Sequence, residues 1–353
     1  MIHTEINNVR LLGNYLNAEK VLVENLISNE YLVHDTRTGV WPQVVRGNEI
    51  IIQKLYLRKK SRHGGTREVY KIISGSLHNT LKILNNQLGK VYSPPDCVHG
   101  FIKGRNIKTN AEQHLAKRNI LSVDIKDFFP SITKLMVSSA LESNGFIKEV
   151  ANWISSIVTH EGCLVQGFNT SPTIANIVFE KLDKILLDRC GDQITYTRYA
   201  DDLYFSSNAD LPEHSIFENI INEYGFEINH NKTSLMKRGK KQYVTGLTVF
   251  DASSPRISKS IKKRIRLEVH YIHKEGLHKH AKNSIIRSGQ TLPENKLEAA
   301  LKIGSESEFI WRNLDGWLRF IHGIEPKFAR KCWRKLDESN RRGPSIESGI
   351  ISL

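Results

Sequence analysis

The chain has 353 residues, 39% hydrophobic and 25% charged, which is enough to bury a full core in one to three packed domains. No apolar run approaches the roughly 20 residues of a membrane span and the N-terminus MIHTEINNVR lacks a signal-peptide pattern, so a cytoplasmic protein without a membrane partner is expected. Fifty-one Lys and Arg against 37 Asp and Glu leave a net charge of +14, which suits nucleic acid, although ribosome-associated and membrane-surface proteins share it.

In chain order, residues 1 to about 50 alternate short apolar and polar clusters and read as helical segments, with Trp41-Pro42 as a break. The segment KLYLRKKSRHGGTREVYKII, Lys54 to Ile73, has two strand-forming runs around Gly64-Gly65, which predicts a hairpin with a positive tip. A Ser93-Pro94-Pro95-Asp96 loop precedes a second basic stretch, VHGFIKGRNIKTNAEQH. Between Leu121 and Val249, β-rich runs alternate with helical ones: the strand ILSVDI, the helix SPTIANIVFEKLDKILL, the hairpin YTRYADDLYFSS, then QYVTGLTVF. Interleaving of this kind predicts an α+β or α/β core with helices covering a sheet. Asp251-Ala252-Ser253-Ser254-Pro255 is a polar linker and the expected domain boundary, followed by helices throughout. Cys97, Cys163, Cys190 and Cys332 are scattered without a C-x-x-C spacing and read as reduced, structural thiols.

Two segments place acids where a strand ends or turns. An apolar run leads into Asp124, and aromatic and β-branched arms flank Ala200-Asp201-Asp202. Asp is a poor strand former, and turn chemistry alone explains either segment. Taken together, a buried carboxylate cluster repels itself unless cations are bound, and Mg²⁺ prefers such hard oxygen ligands. Two ions in that setting support in-line phosphoryl transfer. Successive strand side chains alternate, so Asp201 and Asp202 converge only through the turn.

These residues resemble those of a known family. Tyr199-Ala200-Asp201-Asp202 is similar to the catalytic box of reverse transcriptases, and Asp124-Ile125-Lys126-Asp127-Phe128-Phe129 resembles their first aspartate motif. Gln166-Gly167-Phe168-Asn169-Thr170-Ser171-Pro172 is similar to the Q-G-x-x-x-S-P segment, and Gly225 to Asn229 with Asn231-Lys232-Thr233 to the next block. The resemblance covers roughly Lys60 to Val249. Asn110-Ala111-Glu112-Gln113-His114 and Val244-Thr245-Gly246 match the N-A-x-x-H and V-T-G elements of bacterial retron reverse transcriptases.

The resemblance implies an α+β right-hand polymerase: N-terminal helices and fingers in 1–120, an antiparallel palm sheet with helices in 121–250, and a helical thumb and RNA-binding region in 251–353. It implies Asp124 and Asp201 as ligands of two Mg²⁺ ions, for which Mn²⁺ substitutes, with Asp202 and the Ile125 carbonyl supporting. Lys60 and Arg67 match the pair that grips the triphosphate, a role their charge fits independently. Asp127, Phe128 and Phe129 line the nucleotide site, with Phe129 as the ring that clashes with a ribonucleotide 2′-OH. Gln166, Gly167 and Lys232 complete it. Read alone, Phe129 suits a core aromatic, Gln166 a loop and Lys232 a solvated lysine. Asn110 and His114, four apart on one helix face, suit either RNA contact or a structural pair.

In Arg256 to Ile272, Ile257, Ile261, Ile265 and Ile272 follow helical spacing, while Lys259, Lys262, Lys263, Arg264 and Arg266 crowd the remaining surface. After a polymerase palm, such a helix is expected to lie along a template-primer duplex and contact phosphates. His270, His273, His278 and His280 lack cysteines or carboxylates at zinc-ligand spacing. Trp311, Trp317, Phe320 and Trp333 either pack a helical bundle or stack on unpaired bases. The retron resemblance further implies dNTPs, a structured non-coding RNA, a branched RNA–DNA product (msDNA) begun from a guanosine 2′-OH, and antiphage defence with a separate effector protein. The rival readings are a group II intron-like or other defence-associated reverse transcriptase, and a non-catalytic RNA-binding scaffold.

Overall fold

A computed structural model describes residues 6–39, 50–58 and 65–342. Trp41-Pro42, the Gly64 tip and Lys60 lie outside the described residues. The chain divides into two units, Met1–Thr245 and Gly246–Leu353.

The first unit opens with helices α1 (Val9–Leu16) and α2 (Lys20–Ile27), which bury Leu12, Leu16, Leu22, Val23 and Leu26. Asn8 caps α1 by accepting the Leu11 amide, and Asn17 ends it in the left-handed conformation. The next five residues correct the sequence reading, because Tyr31–Asp35 is a strand, β1. It pairs in parallel with β2 (Ile50–Arg58), from Tyr31↔Ile50 to Asp35↔Lys54. A run this short takes its conformation from a distant partner rather than from its own periodicity. β2 pairs antiparallel with β3 (Thr66–Ile72), as the glycine turn between them predicts. Helix α3 (Gly75–Val91) buries Leu77, Leu81, Leu84 and Leu88 along one face.

The second sheet of this unit positions the site. Its strands are β4 (Asn119–Asp124), β7 (Thr195–Tyr199), β8 (Asp202–Ser207) and β9 (Ser234–Lys237), and its order, β7-β8-β4-β9, is antiparallel throughout. β4 is central and almost wholly buried, which its apolar composition requires. Helix α4 (Ile107–Glu112) precedes β4, and between β4 and β7 the chain forms α5 (Phe128–Ser131), α6 (Lys134–Ser143), α7 (Lys148–Val158) and α8 (Ser171–Cys190). A short hairpin, β5 (Thr159–His160) with β6 (Cys163–Leu164), joins α7 to α8. Pro172 sits in the first turn of α8, where its missing N–H costs nothing. Helix α9 (His214–Glu223) covers the sheet through Phe217, whose ring stacks on Phe205 at 4.0 Å.

The second unit is helical: α10 (Lys259–Glu275), α11 (Leu277–Arg287), α12 (Lys296–Ile324) and α13 (Pro326–Arg342). Ile265, Val269 and Ile272 of α10 are buried with Ile285, Leu314, Leu318 and Ile321. Glu325 ties the start of α10, accepting from the Ile257 amide at 2.7 Å and from Lys262 Nζ at 3.0 Å. Among the described residues no helix is long and apolar enough to cross a membrane.

Candidate active site

β7 and β8 close on Tyr199↔Asp202, leaving Ala200-Asp201 as a two-residue loop. Ala200 has φ 58°, the left-handed region that such a hairpin demands and non-glycine residues seldom adopt. Placing Asp201 in the loop frees it from strand alternation. Asp202 stands directly opposite Asp124 across the β8–β4 pair, so their side chains share one face. Two main-chain bonds tie turn and strand end together: the Ile125 amide donates to Asp201 O at 2.9 Å, and the Asn229 amide to Asp124 O at 2.7 Å. Asp124, Ile125, Asp201 and Asp202 are thus brought together.

Like charges held opposite one another raise their proton affinity. Burial first, then Asp201 and Asp124, push the Asp202 carboxyl up to about 7. Burial also raises Asp201, with Asp124 adding to it and Lys232 and Arg67 opposing. Arg67, exposed on β3, therefore lies close enough to lower the proton affinity of Asp201. Lys232 Nζ donates to both Asp124 oxygens, at 3.0 and 2.8 Å.

The donor set suits divalent cations of the hard class: clustered carboxylates that repel one another and already hold an ammonium. Among the described residues, however, no three His, Cys, Asp or Glu side chains form a ready-made metal cage. The two observations agree if Lys232 serves as counter-ion to Asp124 until a metal takes its place.

The turn rests on a buried polar network absent from the sequence reading. Arg198 is fully buried and bonds Asp183 of α8 through Nε at 2.9 Å and Nη2 at 2.6 Å. Its Nη1 donates to Asn176 Oδ1 at 2.9 Å and to the Ala200 carbonyl at 3.3 Å. Tyr196 OH donates to Asp183 at 2.7 Å. The signal for this network is Asp183 itself, an acid inside the apolar stripe Phe179, Leu182, Leu186 of a helix. A further segment flanks β7: Arg198 N donates to Cys97 O and His99 N to Arg198 O, both at 2.8 Å.

The Gln166-Gly167 loop meets β3. The Tyr70 amide donates to Gln166 O at 2.8 Å, and a Cβ at Gly167, where φ is 122°, would lie 2.0 Å from Tyr70 O. Glycine is obligatory there on both counts. Gly167→Ala is expected to lose ~2–4 kcal/mol of stability and most DNA synthesis. Thermal melting alongside primer extension checks this, and a wild-type melt with wild-type synthesis would refute it.

Asp127 is exposed at φ 45°, ahead of α5. Phe128 is buried against Phe179 and Phe226. Phe129 is half-buried, its ring 5.5 Å from Phe128 and 6.3 Å from Phe101.

The structure decides the open choice at Asn110 and His114. His114 is buried, with its ring nitrogens 2.7 Å from Ser206 Oγ and 2.7 Å from Thr197 Oγ1, and burial pushes it down to about 3. A buried neutral ring with both nitrogens taken fits the structural alternative, fastening the end of α4 onto the sheet. Asn110 is also fully buried. Thr245 ties the second motif to the start of α4 and to β8, its hydroxyl donating to Ile107 O at 2.8 Å and its amide to Tyr204 OH at 3.0 Å. Val244 is buried, and Thr245 and Gly246 both take positive φ, 47° and 80°.

On α10, Lys259, Lys263, Arg264 and Arg266 are exposed. Lys262 is held by Glu325 inside its own unit, which leaves it less available to a phosphate than its neighbours. Arg264 lies over Trp317, and Trp333 contacts His322, so these rings pack within the helical unit. Trp311 and Phe320 are exposed by 38% and 43%, and remain open to solvent.

An antiparallel sheet presenting three acids on one strand end and one hairpin, with helices behind it, defines a polymerase palm. Residues 57–271 match the family described as reverse transcriptase (RNA-dependent DNA polymerase), more than half of the chain. The chain is 33% identical over 253 residues to the retron Ec86 reverse transcriptase of Escherichia coli, covering 70% of this chain and 69% of that one. It is 36% identical over 212 residues to the retron Mx65 reverse transcriptase of Myxococcus xanthus, covering 51% of this chain and 49% of that one. It thus spans about half the length of the Mx65 enzyme. A distant likeness, 12% identical at a TM-score of 0.42, links 91% of the chain to 67% of apo telomerase from Candida Tropicalis. The chain belongs to the reverse transcriptase family, among the retron enzymes. Its fold class is the α+β fold of that family, an antiparallel sheet with helices in the first unit and helices alone in the α10–α13 region of the second.

Proposed function

We propose that the protein is an RNA-directed DNA polymerase that extends DNA on a structured non-coding RNA with dNTPs. The observation that carries this reading is the placement of Asp124, Asp201 and Asp202 at one sheet end, where burial and the neighbouring acids raise the Asp201 and Asp202 carboxyls. Two Mg²⁺ ions, when bound, activate the primer 3′-OH and stabilise the leaving pyrophosphate. In the same reading the three carboxylates and the Ile125 carbonyl hold those ions. Arg67 and Lys60 grip the triphosphate, Gln166 and the Asp127-Phe128 backbone orient the nucleotide, and Lys232 moves from Asp124 towards the phosphates. Residues 1–120 supply fingers, 121–250 the palm and 251–353 the thumb, whose Lys259, Lys263 and Arg266 contact phosphates. Membership among retron enzymes supports a dedicated RNA, priming from a guanosine 2′-OH, a branched msDNA product, and antiphage defence with an effector protein in the cytoplasm.

The ring of Phe129 is proposed to exclude a 2′-OH. Phe129→Ala is expected to raise ribonucleotide incorporation relative to dNTP by ~10–200-fold, the range set by removing a steric contact. Single-nucleotide extension with matched dNTP and NTP measures it, and an unchanged ratio removes the gate assignment.

A further inference from the structure

We propose that Phe101 is a second specificity-determining aromatic, a wall that holds Phe129 in place, so that discrimination at the sugar is set by the pair. The inference rests on the reading of Phe129 as the sugar gate.

Phe101 combines two features that packing does not explain. Its backbone has φ 63°, a region that bulky residues rarely occupy, and its ring is nevertheless 48% exposed. A strained conformation that buries little apolar surface points to function rather than to core formation.

The strain is maintained by fixed references to the catalytic turn. Gly100, just before it, lies so close to the hairpin that a Cβ there would sit 2.4 Å from Ala200 N. The Gly100 carbonyl accepts from Asn176 Nδ2 at 3.0 Å, and Asn176 also receives Arg198. His99 N donates to Arg198 O at 2.8 Å. Position 101 is thereby registered to the loop that carries Asp201.

The ring so placed lies 6.3 Å from that of Phe129, tilted by 50°. Phe129 touches buried Phe128 at 5.5 Å. It therefore has one neighbouring ring locked in the core and one held at the surface. Rejecting a single hydroxyl depends on a gate that does not yield, because a displacement of order 1 Å is enough to change what a site accepts. Without Phe101 the half-buried Phe129 ring has room to turn aside.

The test compares kcat/KM for a matched NTP and dNTP in wild type, Phe101→Ala, Phe101→Gly, Phe129→Ala and Phe101→Ala with Phe129→Ala, with melting curves for each. Glycine relieves the positive φ, so Phe101→Gly is expected to melt at or above the wild-type temperature, which keeps the test valid if the alanine variant folds poorly. The expected result is a roughly 10-fold rise in the NTP/dNTP ratio for both Phe101 variants, with the double variant no more permissive than Phe129→Ala. If Phe129→Ala loses discrimination while both Phe101 variants keep it, the inference fails and the gate reading stands. If Phe129→Ala keeps discrimination, the gate reading itself fails. Effects that multiply in the double variant would show two independent contacts and overturn the wall.

Discussion

Asp201→Asn with Asp202→Asn is expected to lower DNA synthesis by ~10³-fold or more while leaving RNA binding largely intact, if, as proposed, the pair supplies metal ligands worth several kcal/mol in the transition state. Stability should move the other way. In the folded protein the Asp202 carboxyl is pushed up to about 7, above its ordinary range, so the ionised form is disfavoured by folding. The folded state then binds a proton more tightly than the unfolded one. Its destabilising effect is fully present above about pH 7 and is relieved as pH falls from there towards 4, the unfolded value. Metal-free wild type should accordingly melt lower at pH 8 than at pH 6, and the double asparagine variant should lose that contribution. Melting curves in chelator at both pH values, with extension and RNA-binding assays, decide it. Equal loss of binding and synthesis, with a lowered melting temperature, would instead make these acids part of the framework.

Arg198→Ala is expected to cost ~3–5 kcal/mol, because it strands the Asp183 carboxylate in a fully buried site. Replacing the pair together, Arg198→Met with Asp183→Leu, removes the unpaired charge and should recover much of the melting temperature. Synthesis should not recover with it. The Ala200 carbonyl loses its donor in both variants, and a turn displaced by a fraction of an ångström is expected to slow extension by ~10–100-fold. Full activity in the thermally restored variant would limit the pair to stability alone.

The sequence was most legible where local signals and chemistry coincide. Asp124, Asp201 and Asp202 stand out as acids at the ends of apolar strands, and the β2–β3 and β7–β8 hairpins announce themselves by their turns. The helical character after Pro255 follows from the spacing of Ile257, Ile265 and Ile272. What stayed hidden depends on partners far away in the chain. β1 is a strand only through its pairing with β2, and β9, a four-residue segment absent from the expected strands, is defined by its pairing with β4. The sequence left Asn110 and His114 open between RNA contact and a structural pair; both are buried, and His114 is bonded to Ser206 and Thr197, partners far away in the chain. The Arg198–Asp183 pair was missed because charged residues are ordinarily assigned to the surface, although Asp183 inside an apolar helix stripe is a signal for it.

The central claim, templated DNA synthesis at these carboxylates, is tested most directly by incubating the purified protein and its co-purifying RNA with dNTPs and Mg²⁺. The expected result is DNA complementary to that RNA, made by wild type and not by the Asp201→Asn, Asp202→Asn variant, with its 5′ end joined to a guanosine 2′-OH. Retained RNA with no DNA formed would contradict it and leave an RNA-binding scaffold in its place.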